Sequence, residues 1–155
     1  MKKLLATLAV ALGAATVPAV SSANEGLTLD KFPTEKATDL PALQNGAKLF
    51  VNYCLNCHSA SAVRYNRLTE LGLTEEQVKA NLMFATDKIG NQMTIAMPVA
   101  ASKAYFGAVP PDLSLTARAR ASADGSGQDW IYTYLRSFYR DNTRPTGWNN
   151  VVFPN

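Results

Sequence analysis

Cys54-Leu55-Asn56-Cys57-His58 contains every cysteine and the single histidine of this 155-residue chain. Cys-x-x-Cys-His is the attachment pattern of c-type haem. Two thiols add to the vinyl groups of a porphyrin, and the adjacent imidazole is delivered to the iron as its proximal ligand. Other chemistry fits this stretch less well. Zinc takes four ligands, and only three soft or imidazole groups exist here. A thioredoxin-like dithiol needs no histidine and sits in a βαβ pattern, which the sequence lacks. The motif therefore predicts one covalent haem c anchored at Cys54 and Cys57, with His58 on the iron.

Moving outward from the motif, the pattern is helical. Asp39 can cap a helix that begins at Leu40-Pro41, where proline is tolerated in the first turn. Leu43, Ala47, Phe50 and Tyr53 recur at helical spacing and form an apolar stripe. Gly46 lies inside this helix, either as a weak position or as the point of a close helix contact. Thr74-Glu75-Glu76-Gln77 reads as a capping box, with Leu73 and Val78 placed as a hydrophobic staple. Val78, Leu82 and Ala85 would continue the buried face of that helix until Lys88 and Gly90 end it. Pro110-Pro111 breaks the chain, and Asp112 can cap a short helix through Leu113, Leu115 and Ala119. Residues 123–127 read as a flexible loop. Trp130, Ile131, Tyr134, Leu135, Phe138 and Tyr139 then give an amphipathic helix of about four turns, started by Gln128-Asp129. Strand signals are scarce. The fold class is mostly α: a cytochrome c-like helical domain with long loops, an N-terminal helix entering the haem motif and a later helix packing across it.

The first 23 residues read differently. Lys2 and Lys3 precede an apolar run from Leu4 to Val20, and Ser21-Ser22-Ala23 supplies a small-residue cut site. This is the pattern of a secretory signal peptide, and an uncleaved anchor is the alternative. The leader carries two of the 15 basic residues and none of the 12 acidic ones, which leaves about +1 for the rest. That balance excludes a nucleic-acid or anionic-lipid binder. Residues 24–39 mix Gly26, Pro33 and charges and form an extended lead-in to a domain over 40–155.

Longer stretches carry a closer resemblance. They are Asn45-Gly46-Ala47-Lys48-Leu49-Phe50-Val51-Asn52-Tyr53 before the motif and Arg64-Tyr65-Asn66-Arg67-Leu68 after it. Later come Phe106-Gly107-Ala108-Val109-Pro110-Pro111-Asp112-Leu113-Ser114, Ala117-Arg118-Ala119-Arg120, and Arg144-Pro145-Thr146-Gly147-Trp148-Asn149-Asn150. Together these resemble the cytochrome c1 family in its proteobacterial form, the haem subunits of the quinol–cytochrome c oxidoreductase. The resemblance runs from about Leu40 to Asn155. It implies that Pro111 lies against the haem plane and that Arg120 pairs with a haem propionate, a solvated helix face being the other reading of Arg120. Tyr65 is either a contact close to the haem or ordinary packing.

The resemblance also implies a one-electron carrier on the periplasmic side of the inner membrane, working beside cytochrome b. It would take electrons from the Rieske iron–sulfur subunit and pass them to a soluble cytochrome c, with no substrate chemistry of its own. Family members continue past Phe153-Pro154-Asn155 into a segment holding the axial methionine and then a membrane anchor. The domain is thus expected to be C-terminally incomplete, with the sixth ligand outside these residues. Met97, in the Met97-Pro98 loop, is the candidate among the residues present. The rivals are a free-standing soluble periplasmic monohaem cytochrome and a haem enzyme. The latter suffers because the only histidine is already committed to iron.

Overall fold

Asp39 accepts a hydrogen bond from the Ala42 amide at 3.4 Å and so opens helix α1, Leu40–Leu49, with Pro41 in its first turn. The computed structural model describes residues 26–153; the signal peptide expected over 1–23 lies outside the described residues. After Leu49 the helix widens into a π turn, Phe50–Cys54, closed by the Leu55 amide on the Phe50 carbonyl at 2.9 Å. The Asn52 and Asn56 amide groups donate back to the Lys48 and Asn52 carbonyls at 2.8 and 2.7 Å. Strand β1, Ala60–Arg64, follows the motif and pairs antiparallel with β2, Gln92–Met93, across an irregular register.

A 3₁₀ turn over Tyr65–Leu71 and helix α2, Glu75–Leu82, complete the first half. The capping box expected at Thr74 is present: Thr74 Oγ1 accepts from Gln77 N at 3.2 Å, and Gln77 Oε1 accepts from Thr74 N at 2.9 Å. Val51, Leu55, Ala60, Tyr65, Leu68, Val78, Leu82, Met83 and Met93 form one buried core. Helix α2 stops at Leu82, short of the Lys88 end expected from periodicity. Met83 leaves the helix with an extended backbone and is buried in the core, which leaves Ala85 exposed. Thr86 then turns the chain, its hydroxyl accepting from Lys88 N and from the Asn91 side chain.

Helix α3, Val99–Phe106, ends at Gly107, whose φ of 75° only glycine adopts readily. The chain passes Pro110-Pro111 into the four-residue helix α4, Thr116–Ala119. Helix α5 runs Gly127–Arg136, and a small hairpin of β3, Tyr139–Arg140, and β4, Trp148–Asn149, follows. Among the described residues no helix is long and apolar enough to cross a membrane.

The second half corrects the expected length and buried face of the late helix. Residues 123–126 are the loop expected, a tight turn with Ser122 and Gly125 bonded to each other, and Gly127 already belongs to α5. Ser126 Oγ accepts from Asp129 N at 3.1 Å and Asp129 Oδ2 accepts from Ser126 N at 3.2 Å, a capping box that starts α5 at Gly127. Phe138 and Tyr139 fall beyond the helix, which ends where the Ser137 amide bonds Thr133 O. The face of α5 that is buried is also not its aromatic stripe. Asp129 and Thr133 are buried, accepting from the Phe32 and Asp30 amides at 2.8 Å each, while Leu135 is 66% exposed. Residues 30–32 are an extended segment without strand partners, so these two side chains satisfy amides that the segment cannot satisfy itself. Trp130, Tyr134 and Phe153 gather in a partly covered aromatic cluster on the neighbouring face.

The expected crossing of a late helix over α1 also gives way. Helix α1 packs on the Tyr65–Leu71 turn and on α2, and the main partner of α5 is α4. Of the stripe expected on α1, Ala47 and Phe50 are partly buried against the core, while Tyr53 is 75% exposed. Gly46 has nothing within 4 Å of a built Cβ; the close approach is at Gly127, under the backbone of Ala117.

Asp129 makes the docking of the lead-in pH-sensitive. The Phe32 amide, then Lys31 and Ser126, hold its carboxyl well below the usual carboxylate range. A carboxyl depressed in the folded state stabilises it above the unfolded value, and that contribution fades as pH falls through the folded value. In thermal melts the gap between the parent and Asp129→Asn is therefore expected to be full at pH 7 and to close below about pH 4. A gap of constant size down to strong acid would contradict this role.

Candidate haem site

Cys54 closes the π turn, and Cys57 and His58 follow in a turn whose amides both bond the Cys54 carbonyl, at 3.1 and 2.8 Å. Neither cysteine is in a disulfide, and both are half-buried. Between them Leu55 is buried and belongs to the core, which fixes the turn against the body of the protein. Burial pushes the Cys54 thiol above its ordinary value. The thiol therefore stays protonated at neutral pH and behaves as a quiet partner until chemistry is brought to it.

His58 is held from the other end of the chain. Its Nδ1 lies 2.8 Å from the Pro111 carbonyl oxygen. A carbonyl accepts only, so this contact selects the tautomer with the proton on Nδ1 and leaves Nε2 with its lone pair, the form a metal takes. Pro111 was expected beside the haem, and its part visible here is this carbonyl. Sequence reasoning did not find that contact, because no local pattern links residues 53 positions apart.

Tyr65 and Met97 line one open cavity of about 210 Å³ with Val51, Leu55, Asn56, Phe84 and Ile95. Tyr65 is 1% exposed, and among the described residues its hydroxyl is buried without a hydrogen-bond partner. Desolvation raises its pKa. Phe84, at the same cavity, is 66% exposed. This hollow, mixed in polarity, borders the two-cysteine turn at Leu55 and Asn56 and leaves open space on that side of it. The free thiols and the oriented imidazole beside them fit a covalently held haem. Arg120 lies elsewhere, at the end of α4, with its guanidinium 4.4 Å over the Trp130 ring. It is exposed and makes no contact with the His58–Pro111 pair.

Asp112 has a different role from the cap expected of it. It is not a helix cap, since Leu115 holds that position in α4 and makes no side-chain cap. Asp112 Oδ2 accepts from the Ser61 amide at 2.8 Å and from its hydroxyl at 2.7 Å, while Oδ1 accepts from Ser114 N at 2.8 Å. Partial desolvation pushes the carboxyl up, but the Ser114 and Ser61 bonds outweigh it and hold it well below the usual range. The bond to Ser114 N makes an Asx turn of residues 112–114, and the bonds to Ser61 join that turn to β1.

The family model described as the Cytochrome C1 family matches residues 31–155. The chain is 50% identical over 117 residues to cytochrome c1 of Allochromatium vinosum, covering 75% of this chain and 46% of that protein. It is 46% identical over 132 residues to the ammonia monooxygenase gamma subunit of Nitrosomonas europaea, covering 85% and 53%. Cytochrome c1 of Rhodospirillum rubrum is 34% identical over 128 residues, covering 71% and 46%. The chain spans about half the length of the curated relatives it matches.

Proposed function

Because the chain belongs to the cytochrome C1 family, whose proteins carry covalent haem c, we propose that it is the haem-bearing one-electron carrier of a membrane quinol–cytochrome c oxidoreductase. The observation that carries this reading is the His58 Nδ1 contact to Pro111, which prepares the ring beside two free thiols as an iron ligand. Cys54 and Cys57 hold the porphyrin by thioethers, and His58 presents Nε2 to the metal. Bound there, the haem supplies a reversible one-electron couple. The chain's own work is to anchor, orient and partly bury that group. Pro111 stiffens the segment that faces it. Arg120, exposed at the end of α4, would leave its stack on Trp130 to answer a propionate with paired hydrogen bonds.

The electron source is a Rieske iron–sulfur subunit and the acceptor a soluble cytochrome c, with cytochrome b as the neighbouring subunit. The assembly sits on the periplasmic face of the inner membrane. The name of the Nitrosomonas relative points instead to an oxygenase. In this chain the single histidine is taken by the metal, and no second imidazole remains for acid–base work on a substrate.

Intact-mass measurement of the exported protein, followed by a redox titration and mixing with reduced Rieske protein, tests the proposal. The expected result is one tetrapyrrole resistant to acid extraction, a reversible one-electron wave and fast reduction by the Rieske protein, without peroxide turnover. Bare thiols, or a haem that the Rieske protein does not reduce, would overturn it.

A further inference from the structure

We infer that Asp112 is a positioning residue for the haem histidine: its carboxylate, clamped on Ser61 and Ser114, holds the Pro111 carbonyl against His58 Nδ1. The inference rests on the reading of His58 as the proximal ligand. Pro110 and Pro111 have no amide hydrogen, so neither can tie this stretch to a neighbour through its own backbone. The tie comes from the residues just after them. Leu113 N donates to Ser59 O at 2.8 Å, and Ser114 Oγ accepts from Ala62 N at 2.9 Å. Asp112 adds three bonds around the same point, two to Ser61 and one to Ser114.

Ser59 and Ser61 lie one and three positions after His58. The carbonyl and the ring it meets are therefore fixed in one frame, with Asp112 as the rivet between the proline segment and β1. Charged acceptors make stronger hydrogen bonds than neutral ones, which is why a carboxylate serves here better than an amide. The partner of a ligating imidazole sets its orientation and raises its basicity. A firmly held carbonyl thus strengthens the donor character of His58 and favours the oxidised metal. Releasing it weakens that donation.

The test uses the exported, haem-loaded full chain and the variants Asp112→Ala, Asp112→Asn and Ser61→Ala. Asp129→Asn serves as a control, since it removes another multiply bonded carboxylate that does not touch the haem segment. Each is read by haem content, by redox midpoint and by exchange of the His58 ring N–H in proton NMR of the reduced protein. In Asp112→Ala, full haem content is expected with ring N–H exchange about tenfold faster, equivalent to about 1.4 kcal/mol, and a midpoint shifted upward. Asp112→Asn and Ser61→Ala shift both in the same direction by less, and Asp129→Asn shifts neither.

Unchanged exchange and midpoint in a haem-loaded Asp112→Ala protein would overturn the inference, as would an equal shift in Asp129→Asn. Should Asp112→Ala not accumulate, the ordering of Asp112→Asn and Ser61→Ala against the control decides in its place. A parent chain without attached haem would refute the proposed function instead. The His58 ring tautomer in haem-free protein, read by nitrogen NMR in parent and Asp112→Asn, then decides the inference alone.

Discussion

Gly127→Ala is expected to lower folding stability by about 3 kcal/mol, the upper end of the usual cost of overpacking. Gly127 is buried at the first position of α5, and a Cβ built on it falls well inside the van der Waals envelope of the Ala117 carbonyl and its neighbours. That obstacle is backbone, so no rotamer change relieves it. Helices α4 and α5 must separate, and the Ser126–Asp129 capping box moves with them. Two other glycines calibrate the result. At Gly125 a Cβ meets only Leu29 and Asp129 side-chain atoms at 3.2 Å, and at Gly46 it meets nothing within 4 Å. Chemical denaturation should therefore rank Gly127→Ala far below Gly125→Ala, with Gly46→Ala equal to the parent or more stable by up to about 1 kcal/mol. Equal midpoints for the first two would mean that the α4–α5 contact is not the constraint the geometry describes.

Replacing both Cys54 and Cys57 with serine is expected to abolish covalent haem altogether. The two thiols lie on one turn, half-buried and unpaired, and the described residues include no other sulfur nucleophile. Hydroxyls at the same positions cannot form the thioethers, and what is left is a single coordinate bond through His58. Acid extraction of the exported protein should remove all tetrapyrrole from the double variant and none from the parent. Cys54→Ser alone should retain haem through one link. Haem that survives extraction in the double variant would show attachment through another residue, and the reading of the whole motif would fall with it.

How much of this was legible in the sequence depends on the range of the interaction. The Asp39 cap and the Thr74–Gln77 box are local, involving residues a few positions apart, and each is found where the sequence puts it. The ends of α2 and α5 were not legible, because both are set by competition. Met83 leaves its helix to enter the core, and Thr133 and Asp129 turn inward to meet amides about 100 residues away. The aromatic positions of α5 dominate any hydrophobic periodicity, yet an extended segment with unpaired amides needs polar partners more than apolar cover. The same holds at the site. Cys54, Cys57 and His58 announce themselves, whereas the Pro111 carbonyl and the Asp112 carboxylate act through contacts of more than 50 residues. Arg120 stands as an exposed cation over Trp130, where sequence reasoning offered either a propionate partner or a solvated face.

The widened turn over Phe50–Cys54 also sets an angle. Each helical residue advances the side-chain direction by about 100°, and a π turn takes up one more residue than an α turn. Ala47, Val51 and Leu55 can therefore face the interior while Cys54 and Cys57, on either side of Leu55, remain within reach of the solvent side. Shortening that stretch by one residue would leave its composition and polarity nearly intact and still swing the sulfurs by roughly a quarter turn. Spacing along this helix is thus as much a part of the attachment chemistry as the thiols themselves, and chain length there should tolerate far less change than side-chain identity.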